Sequence, residues 1–475
     1  MSSTPLMDIS LSTLIEVSPL LGGRLENREA VRKRQNLELI HSIIDKTSIK
    51  LESKYAKRFH FGSMDFLIQK KNGAISFSPI EMNGTGMAGI SNNPTFVIET
   101  LLSEMKNITK NLNSNEPALF LAPFSGTQEL KTSGTTQLLH ERILFAQALK
   151  EGFKEKYGEA QIIPLQNLTK EGKFTNEKPT IVLGFLKDFI PYLRFEEGSL
   201  KLLNRTVNGS IHDQFCDILY HKFIKNWDKK LPNFINHIFP ITTDKAAALD
   251  IFNQLLSSQS FPHLGVSSFT ESCKDRNDLI KSVLKARQEN RSVVIKPHAS
   301  GLGRGIDFFI SPESEQSIIQ KIDLSIESCQ RYYGVGEHVF PYAVCEFIDS
   351  PVIDFPGSIF HGHKYELRFF AFRDGDRIHA IPSIVKISSM RYDSEKIDRL
   401  MLMNNVAITK KITNKTGLDY ILPLSNYETL DLLALSSEHL YEICGFLTRY
   451  IDYALRKIEP LPPWRLTSST FKAAI

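Results

Sequence analysis

The sequence predicts a mixed α/β protein of several lobes, and three observations carry that expectation. The middle of the chain alternates short apolar strands with helical stretches, as an α/β lobe does. From about residue 240 the order changes to two helices, a run of strands and one long amphipathic helix. The length, 475 residues, allows about three domains at roughly 150 residues each. A chain of that size buries enough apolar surface to fold without a disulfide or metal staple.

Taken in order, residues 27–46 are expected to form a helix, with Asn27 as N-cap and Val31, Leu37, Ile40, Ile43 and Ile44 as apolar positions. Met64–Ile68 is a short strand. Lys71-Asn72-Gly73 is a turn, because Asn-Gly is a strong hairpin signal. The returning strand ends in Pro79-Ile80-Glu81-Met82-Asn83. Residues 94–108 are helical, with Phe96, Ile98, Leu101, Leu102 and Met105 as the apolar set. Strands are expected at 118–122, 161–165, 180–186 and 200–205, with a helix at 135–153. Helices at 245–256 and 271–288 follow, the second showing a helical period in Leu279, Ile280, Val283 and Leu284. Strands at 292–296, 306–310, 342–348, 365–372 and 378–388 precede the helix at 437–457. The expected division is 1–115, 116–240 and 241–475.

Composition excludes several classes. The chain is 42% hydrophobic, 10% aromatic and 23% charged, which excludes a disordered chain, a collagen and a disulfide scaffold. The formal net charge is +4, too small for its length to imply nucleic-acid or membrane affinity by itself. Cys216, Cys273, Cys329, Cys345 and Cys444 are scattered and form no CxxC pair, which reads as reduced thiols without a zinc site. Residues 1–17 lack a basic start followed by an apolar core, so no secretory signal is expected. No apolar stretch approaches the ~20 residues of a membrane span. The expectation is a soluble, cytoplasmic protein.

Three constellations carry chemistry. The first is the segment 292–306, SVVIKPHASGLGRGI. A β-branched run delivers Lys296 at a strand end, and a loop with Gly301, Gly303 and Gly305 follows. Glycines let a backbone approach phosphate oxygens while a lysine neutralises charge. The other reading is a structural turn. It is neither a P-loop nor a dinucleotide fingerprint. Arg304 within this loop either reaches a phosphate or faces water.

The second is Tyr342–Pro351, an apolar strand interrupted by Glu346. The end of such a strand, Glu346-Phe347-Ile348, offers backbone groups to a purine edge and a carboxylate to a ribose. Alternatively it is a buried strand with one outward glutamate. The third is the acidic hairpin. Alternation places Glu81 and Asn83 on one face, and Asp65 on the adjoining strand lies beside them. Two carboxylates and an amide oxygen make an all-oxygen set suited to Mg²⁺ on nucleotide phosphates. The alternative is a solvent-facing pair on an edge hairpin.

Together these motifs resemble the ATP-grasp superfamily. Its glycine loop follows a strand ending in lysine, as at Lys296. Its hinge strand is an apolar run with an acidic residue, as at Glu346. Its metal hairpin carries Asp, then Glu-x-Asn before a glycine-containing turn, as at Asp65, Glu81, Asn83 and Gly84. The resemblance also implies roles for Lys245, at the place of an earlier nucleotide lysine, and for Arg368. The latter lies in Tyr365–Gly375, which resembles the strand that offers an arginine to the transferred phosphate.

In most ATP-grasp enzymes the metal hairpin comes last, whereas here it precedes the glycine loop. The order is that of a circularly permuted ATP-grasp fold, in the manner of the eukaryotic glutathione synthetase family. The α/β middle lobe corresponds to the inserted substrate lobe. That family has an acidic metal ligand in its glycine loop, where this chain has the neighbourhood of Ser300. The third ligand is then either Asp65, as in other ATP-grasp enzymes, or missing. It also has an arginine before the hairpin aspartate, where this chain has Gly62-Ser63.

The resemblance implies an ATP-dependent carboxylate–amine ligase with ATP and Mg²⁺. It would form an amide or peptide bond between small amino acid or peptide substrates through an acyl phosphate. Lys245, Lys296, Gly301, Gly303, Arg304, the 346–348 hinge and Asn404 would hold nucleotide. Arg368 and Lys296 would serve the transfer. Arg205, in KLLNRTVNG, is either a ligand for a substrate carboxylate or a surface arginine beside an Asn-Gly turn. Lys410 either meets an anionic substrate or belongs to a solvated basic pair. His361-Gly-His363 reads as a loop. The glutathione synthetase family also implies a homodimer. Two further readings stay open: a non-catalytic ATP-binding module, and a protein-modifying ligase resembling the tubulin tyrosine ligase group.

Overall fold

The computed structural model describes residues 26–56, 58–71, 73–84, 89–109, 118–121, 133–157, 161–164, 180–183, 192–196, 199–202, 205–211, 233–234, 245–265, 269–297, 303–333, 339–402 and 420–458. It is mixed α/β, with three sheets among these residues.

The first expected helix is two helices, α1 (Glu26–Lys33) and α2 (Leu37–Thr47). The break is made by side chains. Asn36 caps α2 by accepting from the Leu39 N–H at 3.0 Å, and Gln35 donates to the Ser383 carbonyl at 2.8 Å. A continuous helix would forfeit both bonds. The break also turns Leu37 outward to 48% exposure, whereas Ile40 and Ile43 are fully buried.

A two-residue strand β1 (Ile49–Lys50) and a single turn of helix, α3 (Ser53–Ala56), lead into the expected hairpin, β2 (Phe61–Lys71) and β3 (Ala74–Asn83). Helix α4 (Thr95–Thr109) follows. The middle section is β4 (Ala118–Leu121), α5 (Ser133–Tyr157), β5 (Gln161–Pro164), β6 (Thr180–Leu183), β7 (Leu193–Glu196), β8 (Ser199–Leu202), β9 (Arg205–Ile211) and β10 (Asn233–Phe234). Its sheet runs β5-β4-β6-β9-β8-β7. The first three pairings are parallel, and α5 provides the crossover between β4 and β5. Where one strand was expected at 200–205, the chain turns back. Leu202 pairs with Arg205 in a tight antiparallel hairpin of β8 and β9.

Helix α6 (Lys245–Ser258) precedes β11 (Thr270–Cys273) and α7 (Arg276–Gln288). The helix expected from 271 starts later, because Asp275 caps it by accepting from the Asp278 N–H at 2.9 Å. Then come β12 (Val293–Pro297), β13 (Asp307–Phe309), α8 (Glu315–Tyr333) and β14 (Tyr342–Glu346). Helix α8 is not among the elements expected from sequence. Its signal is Ile318, Ile322 and Ile326 at four-residue spacing, and all three are buried. The second sheet, β11-β14-β12-β13, is antiparallel throughout.

The last elements are β15 (His363–Asp374), β16 (Arg377–Arg391), α9 (Arg399–Leu402), β17 (Ile421–Pro423), α10 (Tyr427–Leu433) and α11 (Ser437–Ile458). Here the chain closes on itself. The third sheet runs β1-β16-β15-β2-β3, with β17 also on β16, so the early hairpin and the late strands are one sheet. Alternation divides its faces. Met64, Phe66, Leu367 and Phe369 pack in one core with α11 and α6. Phe61, Phe370 and Phe372 pack on the other face with α4 and α5. A partly buried ion pair, Arg373 Nη2 to Glu104 Oε2 at 2.5 Å, ties α4 to β15. No helix among the described residues is long and apolar enough to cross a membrane.

Candidate active site

The site starts from strand register. Asp65 lies opposite both Glu81 on β3 and Arg368 on β15. Glu366, two residues before Arg368, lies opposite Lys386 on β16. Directly opposed residues share a face, so four adjacent strands present charge on one side of the sheet.

Asp65 is 2% exposed and engaged on both oxygens. Its Oδ1 accepts from Arg368 Nε at 2.7 Å, and its Oδ2 accepts from Arg368 Nη2 at 2.7 Å. The same Oδ2 accepts from Lys386 Nζ at 3.0 Å and from Asn83 Nδ2 at 3.4 Å. Lys386 is also in ion-pair contact with Glu366. Burial alone would raise the Asp65 pKa, but the Arg368 and Lys386 charges outweigh it and hold the carboxyl well below the usual range. The same pairing raises that of Arg368 despite its burial.

A bulge shapes β3. Asp65 pairs with Glu81 and Phe66 with Pro79, so Ile80 falls out of the ladder. Its carbonyl accepts from Lys296 Nζ at 3.1 Å, a bond that joins the second sheet to the hairpin. Lys245, buried at the first turn of α6, places its Nζ 2.9 Å from Glu81 Oε1. Burial works to raise the Glu81 pKa, but Lys245 first, with Lys296, lowers it overall. Glu366 goes the other way: burial raises its pKa, and the neighbouring Lys386 only partly offsets this.

The expected residues Asp65, Glu81, Asn83, Lys245, Lys296 and Arg368 therefore stand in one cluster, although they come from five elements. Two further members, Glu366 and Lys386, look in sequence like single polar residues inside apolar strands, and only the register assigns them. Four cations face three carboxylates here, so the cluster carries a positive surplus when all are ionised, and a polyphosphate is drawn to it.

The hinge residues sit at the end of β14, in the second sheet. Glu346 stands opposite Val293, and Lys296 stands three residues further along β12, roughly 10 Å away at the rise of a strand. The two are on opposite parity, so the strand itself does not present both side chains on one face. The Glu346 N–H donates to the Phe269 carbonyl and that of Phe347 to the Ser292 carbonyl. Of the three hinge N–H groups, that of Ile348 is left without an acceptor among the described residues.

Of the glycine loop, Gly303 to Gly305 are described. Gly303 has φ 67° and Gly305 φ 69°. A Cβ on Gly305 would lie 2.2 Å from Cys329 Sγ, and its carbonyl accepts from Ser325 Oγ at 2.6 Å. Gly305 is thus required for packing against α8. Arg304 is half-buried beside it. Gly301, Asn404 and Lys410 lie outside the described residues. Arg205 opens β9, and its side chain is likewise outside them. His363 turns its Nδ1 to the Ser388 carbonyl at 2.8 Å, within its own sheet.

The oxygens of the hairpin fit a hard divalent cation unequally. Glu81 has one oxygen on Lys245, and the other is unengaged among the described residues. Asn83 turns its Nδ2 to Asp65, which leaves its amide oxygen as a ligand. Glu81 is also reachable, with 26% of its side chain exposed against 3% for Asp65.

No protein-family model matches the chain, and no curated protein sequence matches it. Two solved structures align with the chain at low identity. One is a protein from Methylobacillus flagellatus KT, provisionally named a gamma-glutamylcysteine synthetase. The match has 12% identity and a TM-score of 0.42, over 96% of this chain and 98% of that one. The other is D-alanyl-alanine synthetase A from Vibrio cholerae O1 biovar eltor. It has 13% identity and a TM-score of 0.26, over 54% of this chain and 68% of that one.

Proposed function

We propose that the protein is an ATP-grasp ligase, circularly permuted, that joins a carboxylate to an amine through an acyl phosphate. The observation that carries the reading is the cluster itself. The hairpin's Glu81, Ile80 carbonyl and Asp65 meet Lys245, Lys296 and Arg368 in turn, cations that follow them by 160 residues or more, which supports the permuted order.

In this reading Lys245 and Lys296 bind the phosphates of ATP, and the turn at Gly303 and Arg304 closes over them. The Ile348 N–H donates to the adenine edge at the hinge. Glu81 and Asn83 would hold Mg²⁺, which would supply neutralisation of phosphate charge. A substrate carboxylate oxygen attacks the γ-phosphorus, and the bond to the β-phosphate oxygen breaks, releasing ADP. The amine then attacks the acyl carbon, expels phosphate and loses a proton. Arg368 stabilises charge on the transferring phosphoryl group and on the tetrahedral oxyanion. Closure excludes water, which would otherwise hydrolyse the acyl phosphate. The substrates are small amino acids or peptides; neither nucleic acid nor membrane takes part.

The test is incubation with ATP, Mg²⁺ and a panel of amino acids and dipeptides, following ADP and product mass. Substrate-dependent ADP with a product heavier by condensation is expected. ATP binding with no ADP from any mixture would leave a nucleotide-binding module. ADP formed only with a polypeptide acceptor would make the protein a protein-modifying ligase.

A further inference from the structure

We propose that Asp65 is the anchor of a cationic clamp made by Arg368 and Lys386, and that it is not a metal ligand. The inference rests on the ligase reading and assigns roles within the same site.

A carboxylate offers about four lone-pair positions. On Asp65, Oδ2 is fully taken by Arg368 and Lys386, with Asn83 Nδ2 a longer third contact at 3.4 Å, and Oδ1 accepts from Arg368 Nε. Two donors are cations, and both bonds from Arg368 are at charge-assisted length. Mg²⁺ binds carboxylate oxygen at about 2.0–2.1 Å. At that distance it would displace a donor from Oδ2, and on either oxygen it would sit against the Arg368 guanidinium, with the Lys386 ammonium close by. Glu81 and Asn83 are placed differently, since each keeps an oxygen unengaged by any described residue. Mg²⁺ commonly takes one or two protein oxygens and completes its shell with phosphate and water, so these two suffice.

The anchor has three outputs. Its two-point bond fixes the plane of Arg368. Its Oδ2 draws Lys386 across from β16, toward the same face. It also takes Asn83 Nδ2, which orients that amide so that its oxygen is the ligand. Lys386 thereby becomes a second cation for the transferred phosphoryl group. Asp65 itself touches no reacting atom and is a positioning residue.

Mn²⁺ in place of Mg²⁺ gives a readout separate from activity. In wild-type protein with ATP, electron paramagnetic resonance should report bound Mn²⁺. Hyperfine coupling is expected from protein labelled with ¹³C at glutamate carboxyls and is not expected with the label at aspartate carboxyls. Glu81→Gln should abolish ATP-dependent Mn²⁺ binding, whereas Asp65→Asn should leave it nearly unchanged. Asp65→Asn should still lower kcat by about 10²–10³, the usual cost of a lost oxyanion donor, with little change in the KM for ATP. Lys386→Met should lower kcat in the same way, and Lys386→Arg should restore part of it. Aspartate coupling in the wild type, or loss of Mn²⁺ binding in Asp65→Asn matching that in Glu81→Gln, would overturn the assignment. If Asp65→Asn does not fold, the wild-type labelling decides alone. Absence of any ATP-dependent Mn²⁺ signal would remove the ligase reading and this assignment with it.

Discussion

Arg368 and Asp65, 303 residues apart, face each other across two paired strands and are joined by two hydrogen bonds of 2.7 Å. The pair is buried, so its weight lies in what happens when one member is lost. A buried ion pair adds little over an apolar substitute, but an orphaned partner is costly.

Arg368→Leu should therefore destabilise the protein by about 3–5 kcal/mol, read from the urea unfolding midpoint. The exposed pair Arg34–Glu428, at 2.9 Å, is the control. Arg34→Leu should cost no more than ~1 kcal/mol. Equal effects of the two changes would mean that Asp65 is rescued by Lys386 alone.

Acid should act through the lowered carboxyls. Asp65 and Glu81 are held below their ordinary values, so their contribution is complete above about pH 4, the unfolded range. It is lost as pH falls through the folded values. Asp65→Asn should remove much of that acid-side loss, as followed by unfolding midpoints across the acid range.

Glu366 has the opposite sign. Its folded pKa is raised, so it favours the folded state below its unfolded value of about 4.3. That contribution disappears as pH rises through the folded value. Glu366→Gln should be relatively more stable than wild type toward neutral pH, with the difference vanishing in acid. A difference that grows in acid would contradict the assignment.

Two glycines separate backbone strain from packing. Gly73 has φ 79° and open space for 4 Å around the point a Cβ would occupy, whereas Gly305 combines positive φ with a contact of 2.2 Å. Gly73→Ala should cost about 1 kcal/mol, the order of a left-handed non-glycine residue. Gly305→Ala should cost clearly more, since β12 and α8 must part to admit it. Urea midpoints of the two variants check the order.

The shared sheet predicts that the chain cannot be cut into working halves. Residues 1–240 and 241–475 expressed separately should each fail to turn over ATP. Removing β2 strips β15 of one neighbour and takes away Phe66, which meets Phe369 edge to face at 5.5 Å. Mixing the two fragments during refolding should restore some activity, while activity in either fragment alone would contradict the interlocked sheet.

Much of this architecture is legible in local sequence, because strands and helices write their periods locally. Glu81 and Asn83 fall on one face by alternation, and α4 and α11 show their apolar stripes. What escapes is whatever depends on distant partners. The break at Asn36 looks like helix interior until Ser425, whose Oγ accepts from the Asn36 N–H at 3.0 Å, is brought beside it. Lys386 sits in Ile384-Val385-Lys386-Ile387 and reads as one outward lysine. Its partnership with Asp65 spans 321 residues and leaves no mark in either neighbourhood. The helix α8 is a different case, since its isoleucine spacing is present in the sequence.

The order of strands in the third sheet also sets a schedule for the growing chain. Strand β2 leaves the ribosome early, with one edge paired to β3 and the other awaiting β15. At translation rates of roughly 5–20 residues per second, the intervening stretch takes about 15–60 s to appear. For that interval a long apolar hairpin is held with an open edge, the kind of surface that recruits a chaperone or a neighbouring nascent chain. Synthesis speed across the middle of the message, and not only the final sequence, then governs the yield of native protein.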